Sequence, residues 1–190
     1  MLWLLLSLDY ATIKEAYHKS YTYEAKGRYE DAIKAMMVVY EAYPDAYTPN
    51  LRLGWLYYLA KKYANSEYHY KKAIKAAPYS VEAKLGLTLP YMAQGRWKRV
   101  EGTTGEILKT DYYNYYANLR LCYALRHQKK YSQAEKVARK MLTLYPTDVS
   151  FLNELALALY YQGKKNDALA IFADVLILDP DNATARSFLK

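Results

Sequence analysis

Apolar residues along this chain return at helical rather than strand intervals. Leu53, Gly54 and Tyr57 fall on one face of a first predicted helix, and Tyr70, Ala73 and Ile74 on one face of a second. Steps of three and four align side chains on a helix, whereas a half-buried strand alternates. The pattern recurs every 34 residues with no insertion, giving five blocks: 13–46, 47–80, 81–114, 115–148 and 149–182. Each block predicts two helices around a turn at Gly27, Lys61, Gly95, Lys129 or Gly163. Pro44, Pro78, Pro146 and Pro180 end second helices, because proline cannot continue one; the third block has Tyr112 there. Thr12, Ser80, Asn114, Asp148 and Asn182 precede first helices and suit the N-cap. Ala46 is a poor cap, so Thr48 as cap and Pro49 at the first helical position predict a start two residues late. Ser132 with Glu135 reads as a capping box.

The same positions carry a fuller signature. Leu53-Gly54-x-x-Tyr57 goes with Ser66, Tyr70 and Pro78, and Leu121-Cys122-x-x-Leu125 with Ala134, Ala138 and Pro146. Leu155-Ala156-x-x-Leu159 goes with Ala168, Phe172 and Pro180. On these residues the segment 13–182 resembles the tetratricopeptide-repeat family, whose units are 34-residue helix-turn-helix pairs. The resemblance implies an all-α fold: an αα-solenoid, a right-handed superhelix of five repeats with short terminal caps. Its first helices would line a concave groove. Residues 183–190 read as a capping helix or the start of further chain. Residues 1–12 read as an apolar cap, half a second helix, or the remnant of a secretory signal. The compartment, cytoplasmic or exported, turns on that choice. Met1–Leu8 is too short to span a bilayer, which needs roughly 20 apolar residues.

Composition narrows the function. With 53% hydrophobic and 24% charged residues the chain is not of the disordered class. Tyrosine is overused, at 24 of 190 residues, and suits half-buried recognition surfaces. The net charge of +8 is local: residues 96–140 hold eleven Lys/Arg against four Asp/Glu. Such a field favours an acidic partner or anionic surface, unless it is only a solvated face. Cys122 is the single cysteine, so no internal disulfide is available and core packing is its expected role. His18, His69 and His127 are scattered over three blocks, and no phosphate loop, nucleophile elbow or metal motif occurs. The chain is therefore read as a non-enzyme with no cofactor or metal.

The family geometry, carried over residue by residue, implies which side chains face the groove. They are Lys14, Tyr17 and Tyr21; Leu51, Arg52, Trp55 and Tyr58; Leu85, Leu89 and Met92; Tyr116, Arg120, Tyr123 and Arg126; and Asn153, Leu157 and Tyr160. Tyr, Trp and Arg are enriched at binding hot spots, although aromatics at this spacing also serve packing between repeats. The expected function is a scaffold holding a protein or peptide, with an apolar anchor beside an acidic residue as the matching segment. Arg120 and Arg126 would bond the acid. The alternative is a non-protein anion (nucleic acid, acidic glycan or lipid headgroup) on segment 96–140, with nucleic acid the less favoured. Tyr17 and Tyr21 stand where chaperone-tail-binding members carry Lys and Asn, so that ligand is not expected. The third block departs from the pattern. Pro90 lies inside its first helix, where Gly86 relieves the crowding, and Gly102-Thr103-Thr104-Gly105 weakens its second. Simple drift and a hinge or ligand contact both fit.

Overall fold

The computed structural model describes residues 8–189. Among them every regular element is α-helical. The helices are α1 (Tyr10–Ala25), α2 (Tyr29–Ala42), α3 (Tyr47–Leu59), α4 (Tyr63–Ala76), α5 (Val81–Ala93) and α6 (Trp97–Leu108). They continue as α7 (Tyr115–His127), α8 (Tyr131–Leu142), α9 (Val149–Tyr161), α10 (Lys165–Leu178) and α11 (Ala183–Phe188). No helix among the described residues is long and apolar enough to cross a membrane. Of the apolar run Met1–Leu8, Leu8 packs against the core cluster of the first helices, and the rest lies outside the described residues.

The turns fall where the 34-residue spacing placed them, for a common reason. Gly27, Lys61, Gly95, Lys129 and Gly163 all have positive φ, between 58° and 86°. The chain can reverse there only in the left-handed region, which glycine enters freely. Lys61 and Lys129 enter it with a side chain, at roughly 1–2 kcal/mol each.

Helix starts confirm some expected caps and correct others. Ser80, Asn114, Asp148 and Asn182 accept from the backbone N–H of Ala83, Ala117, Phe151 and Ala185. Thr12 is not a cap: α1 begins earlier, and Asp9 Oδ1 accepts from the Thr12 N–H at 2.7 Å. Nor do Thr48 and Pro49 delay α3, which starts at Tyr47 directly after Ala46. Asn50 holds this entry instead, its Nδ2 donating to the carbonyls of Pro44 and Ala46 at 2.9 and 2.8 Å. Pro49 then sits in the first turn, where no N–H is required. Ser132 and Glu135 form no capping box. α8 starts after Lys130 without a side-chain cap, while Glu135 accepts from Arg139, Gln162 and Lys164.

The chain divides into two compact units, Met1–Gln94 and Gly95–Lys190, and the division falls inside the third block. In the first unit Ala32, Met36, Leu53 and Leu56 are fully buried between α1, α2 and α3. Tyr70 of α4 wedges between two glycines. A Cβ at Gly54 of α3 would lie 2.8 Å from the ring, and one at Gly86 of α5 only 2.2 Å. Gly86 is thus small to admit Tyr70, and α5 runs on through Pro90 to Ala93. In the second unit Met141, Phe151, Leu159, Phe172 and Val175 are fully buried, and Phe188 of α11 stacks on Phe172 at 4.7 Å.

Candidate partner-binding site

In the first unit, α1, α3 and α5 enclose a recess of about 280 Å³. Its walls are Tyr17 and Tyr21 from α1, Thr48, Leu51, Arg52 and Trp55 from α3, and Glu82 from the start of α5. Tyr17 and Tyr21 are four apart, as are Thr48 and Arg52, so each helix turns one face inward. Glu24, which sequence reasoning passed over, organises the wall. Its carboxylate pairs with Arg52 Nη1, and it accepts from Trp55 Nε1 at 2.7 Å. Arg52 Nε donates to Ser20 Oγ at 2.8 Å, and the guanidinium lies 3.9 Å over the Tyr21 ring. Arg52 is only 7% exposed, yet among the described residues nothing accepts from its Nη2. The Tyr17 hydroxyl is likewise buried, with the Thr48 side chain beside it. Burial pushes the Tyr17 phenol above its ordinary pKa, and neighbouring Thr48 and Arg52 only partly offset this. A buried donor left unpaired costs roughly 1–3 kcal/mol. Tyr21 stays 54% exposed at the mouth, and Glu82 accepts from the Tyr47 hydroxyl at 3.0 Å. Tyr58 lies half-buried between Trp55 and Tyr63, with ring centroids 5.7 and 6.2 Å away, and Leu89 and Met92 are half-buried on α5.

The second unit presents a separate set. Tyr116 of α7 is 59% exposed, and Arg120 and Tyr123 are half-buried on the same helix. Tyr123 packs against Trp97 and His127, with centroids at 5.6 and 4.4 Å, and His127 stacks on Trp97 at 4.4 Å. Arg126 does not stand ready for an acidic ligand as expected. Its Nε and Nη2 donate to Glu154 of α9 at 2.9 and 3.1 Å. Burial pulls the Arg126 pKa down, and bonding to the Glu154 carboxylate more than reverses this. Asn153 is half-buried, and its Oδ1 accepts from nothing among the described residues. Leu157 is buried in the core, and Tyr160 is half-buried, its ring 4.7 Å from that of Phe188. Glu24–Arg52 and Arg126–Glu154 share a separation of 28 residues, a spacing that could have flagged both acids.

Two tetratricopeptide-repeat family models match the sequence, over residues 17–81 and 149–178. The chain is a tetratricopeptide-repeat protein. Solved structures agree in fold. A tetratricopeptide repeat protein from Parabacteroides merdae superposes with a TM-score of 0.85 at 16% identity, over 94% of this chain and 71% of that one. MamA from Desulfovibrio magneticus RS-1 gives 0.81 at 14%, over 90% and 97%. A further MamA structure gives 0.78 at 18%, over 90% and 94%. At such identities the likeness is one of fold. None of the curated proteins compared matches the chain.

Two other titratable groups of this tetratricopeptide-repeat chain, Cys122 and His69, serve its packing. Cys122 is fully buried, its Sγ directed at the Ala134 carbonyl 3.6 Å away, and burial pushes the thiol pKa up. His69 is buried against Tyr57, with rings stacked at 5.2 Å, and its Nδ1 lies 2.9 Å from Asn50 Oδ1. Burial, with the nearby Lys72 charge, lowers its pKa to about 4. No group of three His, Cys, Asp or Glu among the described residues could hold a metal. Several cations of segment 96–140 have partners within the second unit. Lys130 bonds Glu101, Arg139 bonds Glu135, and Lys140 donates to the Tyr112 carbonyl at 3.0 Å over that residue's ring.

Proposed function

We propose that this protein is an interaction scaffold whose first unit holds a segment of another protein against the inward faces of α1, α3 and α5. The observation that carries this reading is the recess itself. It combines aromatic walls with a pre-positioned Arg–Glu–Trp cluster. Binding pockets typically pair apolar walls with a few convergent polar groups. The Glu24 bonds fix Arg52 and Trp55 before any partner arrives, so little side-chain entropy remains to be lost on binding.

Selection of a displayed random-peptide library on the purified protein tests this. Enriched peptides should lose roughly 30-fold in affinity on Trp55→Ala, the loss of a buried aromatic anchor of about 2 kcal/mol. Tyr21→Ala should weaken them as well, because Tyr21 is exposed at the mouth of the recess. Peptides indifferent to both changes, or no enrichment, would refute the proposal.

A further inference from the structure

The starts of α6, α8 and α10 form one edge of the second unit. Internal bonds align them. Gln128 and Lys130, in the turn before α8, donate to Glu101 near the start of α6. Gln162 and Lys164, in the turn before α10, donate to Glu135 near the start of α8. Cations crowd this edge. Lys98 and Arg99 open α6, Lys129 and Lys130 lead into α8, and Lys164 and Lys165 lead into α10. The acids do not balance them. Glu101 is taken up by Lys130, and Glu135 by Lys164 and Arg139. Lys98, Arg99, Lys129 and Lys165 are exposed and form no ion pair among the described residues, and Asp167 is the one exposed acid beside them. Recesses of about 380 Å³ at Trp97, Lys98 and Arg99 and about 290 Å³ at Lys164 and Lys165 open among these side chains.

Stability does not account for this charge. The start of a helix is the positive end of its dipole, where cations are opposed. Yet α6, α8 and α10 are entered through Arg96, Lys130 and Lys164, none with a side-chain cap. A local rule broken three times on one surface points to function. Such a field suits an anion, and the surroundings narrow its kind. A bilayer would call for apolar side chains beside the cations to enter it. The exposed Leu144, Ile177 and Leu178 of this unit sit instead at the opposite ends of α8 and α10. A nucleic acid strand would call for open aromatic faces on which bases stack. Here Trp97 stacks on His127 at 4.4 Å and Tyr131 on Tyr161 at 5.3 Å, so the rings are spent on one another. Carboxylates need neither feature to pair with ammonium and guanidinium groups. From this charge complementarity we infer that the edge is a second binding surface, which takes an acidic segment of a partner protein, rich in Asp or Glu. It belongs to the second unit and does not depend on the recess of the first.

The test uses the full chain and a fluorescein-labelled poly-glutamate peptide, followed by anisotropy. Binding should be present at low salt and fall about tenfold as ionic strength rises from about 0.05 to about 0.5 M. Lys98→Glu combined with Lys165→Glu should weaken it about tenfold. The melting temperature should hold or rise, because both changes put an acid in the first turn of a helix. Lys34→Glu combined with Lys75→Glu changes the net charge equally at two exposed sites of the first unit, and should leave most of the binding intact. Trp55→Ala should leave it unchanged, which separates this surface from the recess. An equal loss in the Lys34 and Lys75 pair would show that net charge, not this edge, holds the peptide, and would overturn the inference. Tighter binding of a single-stranded oligonucleotide of equal charge, or of phosphatidylserine vesicles, would overturn the assignment to an acidic protein segment. No binding of poly-glutamate at low salt would overturn it outright.

Discussion

Gly86→Ala puts a methyl group where the Tyr70 ring already is. The new Cβ would lie 2.2 Å from Cε1, 2.6 Å from Cζ and 2.7 Å from Cδ1. Carbon atoms in good contact sit roughly 3.5–4.0 Å apart, so the ring or helix α5 must move by more than an ångström. The ring has nowhere to go: it is 3% exposed, and its other side lies on Gly54. Overpacking of this kind costs about 1–3 kcal/mol, and the depth of this clash puts it toward the upper end. Alanine's higher helix propensity returns about 1 kcal/mol, leaving a net loss of about 2 kcal/mol. Gly102→Ala and Gly105→Ala in α6 are the controls, since a Cβ at either meets nothing within 4 Å. Both should stabilise by about 1 kcal/mol through propensity alone. Urea unfolding followed by helical circular dichroism reads all three. In a Tyr70→Ala background the penalty at Gly86 should vanish. A Gly86→Ala midpoint at or above that of the parent would show the reasoning to be wrong.

Two further outcomes are expected. Lys61→Gly and Lys129→Gly should each raise stability by roughly 0.5–1 kcal/mol, because both lysines hold a positive φ in turns where three sister positions carry glycine; calorimetric melting checks this. Stability should also fall as pH drops from about 6.5 toward about 4, because the unfolded chain protonates His69 at its ordinary pKa while the buried ring resists until about 4. The full loss is about 3 kcal/mol, and His69→Gln should flatten the upper part of that slope. Glu135 does not compete there. Burial raises its pKa, but donors from Gln162, Arg139 and Lys164 hold it at about 2, so its contribution is lost only in more acid solution.

The fold was readable because each repeat announces itself through positions whose reasons are local. A left-handed turn calls for glycine, a helix start for a capping oxygen, and a tight helix crossing for a small residue. These demands return every 34 residues and survive exceptions such as Lys61. Where the reading failed, the deciding contact was not local. Asn50 replaced the Thr48–Pro49 start by reaching back to Pro44, and Glu135 left its expected capping role for donors in the following repeat. The candidate site divides the same way. Family geometry gathered Tyr17, Tyr21, Arg52 and Trp55, but composition gave no sign that Glu24 had already claimed the arginine. Net charge counts cations without regard to where their partners sit. A basic sequence segment is therefore weak evidence for a basic surface in a repeat protein, where acids one helix away lie within reach.

Arg126 is the sharpest case of that error, and it can be tested. As a free cation on the groove it would mainly speed association, and its removal would leave stability alone. In the structure its side chain is 15% exposed and that of Glu154 10% exposed, joined by two bonds. Removing one partner of such a pair strands the other charge, which typically costs 3–5 kcal/mol. With slight exposure to solvent the lower end applies, so Arg126→Ala should cost about 3 kcal/mol, seen as a lower urea midpoint. The charge-free double substitution Arg126→Met with Glu154→Leu should recover most of this, because apolar side chains of similar volume replace buried ion pairs with little penalty. Neutral behaviour of Arg126→Ala in urea, combined with slower association of a selected peptide, would restore the arginine to recognition. Failure of the double substitution to recover stability would mean that the pair contributes packing or geometry beyond its charge.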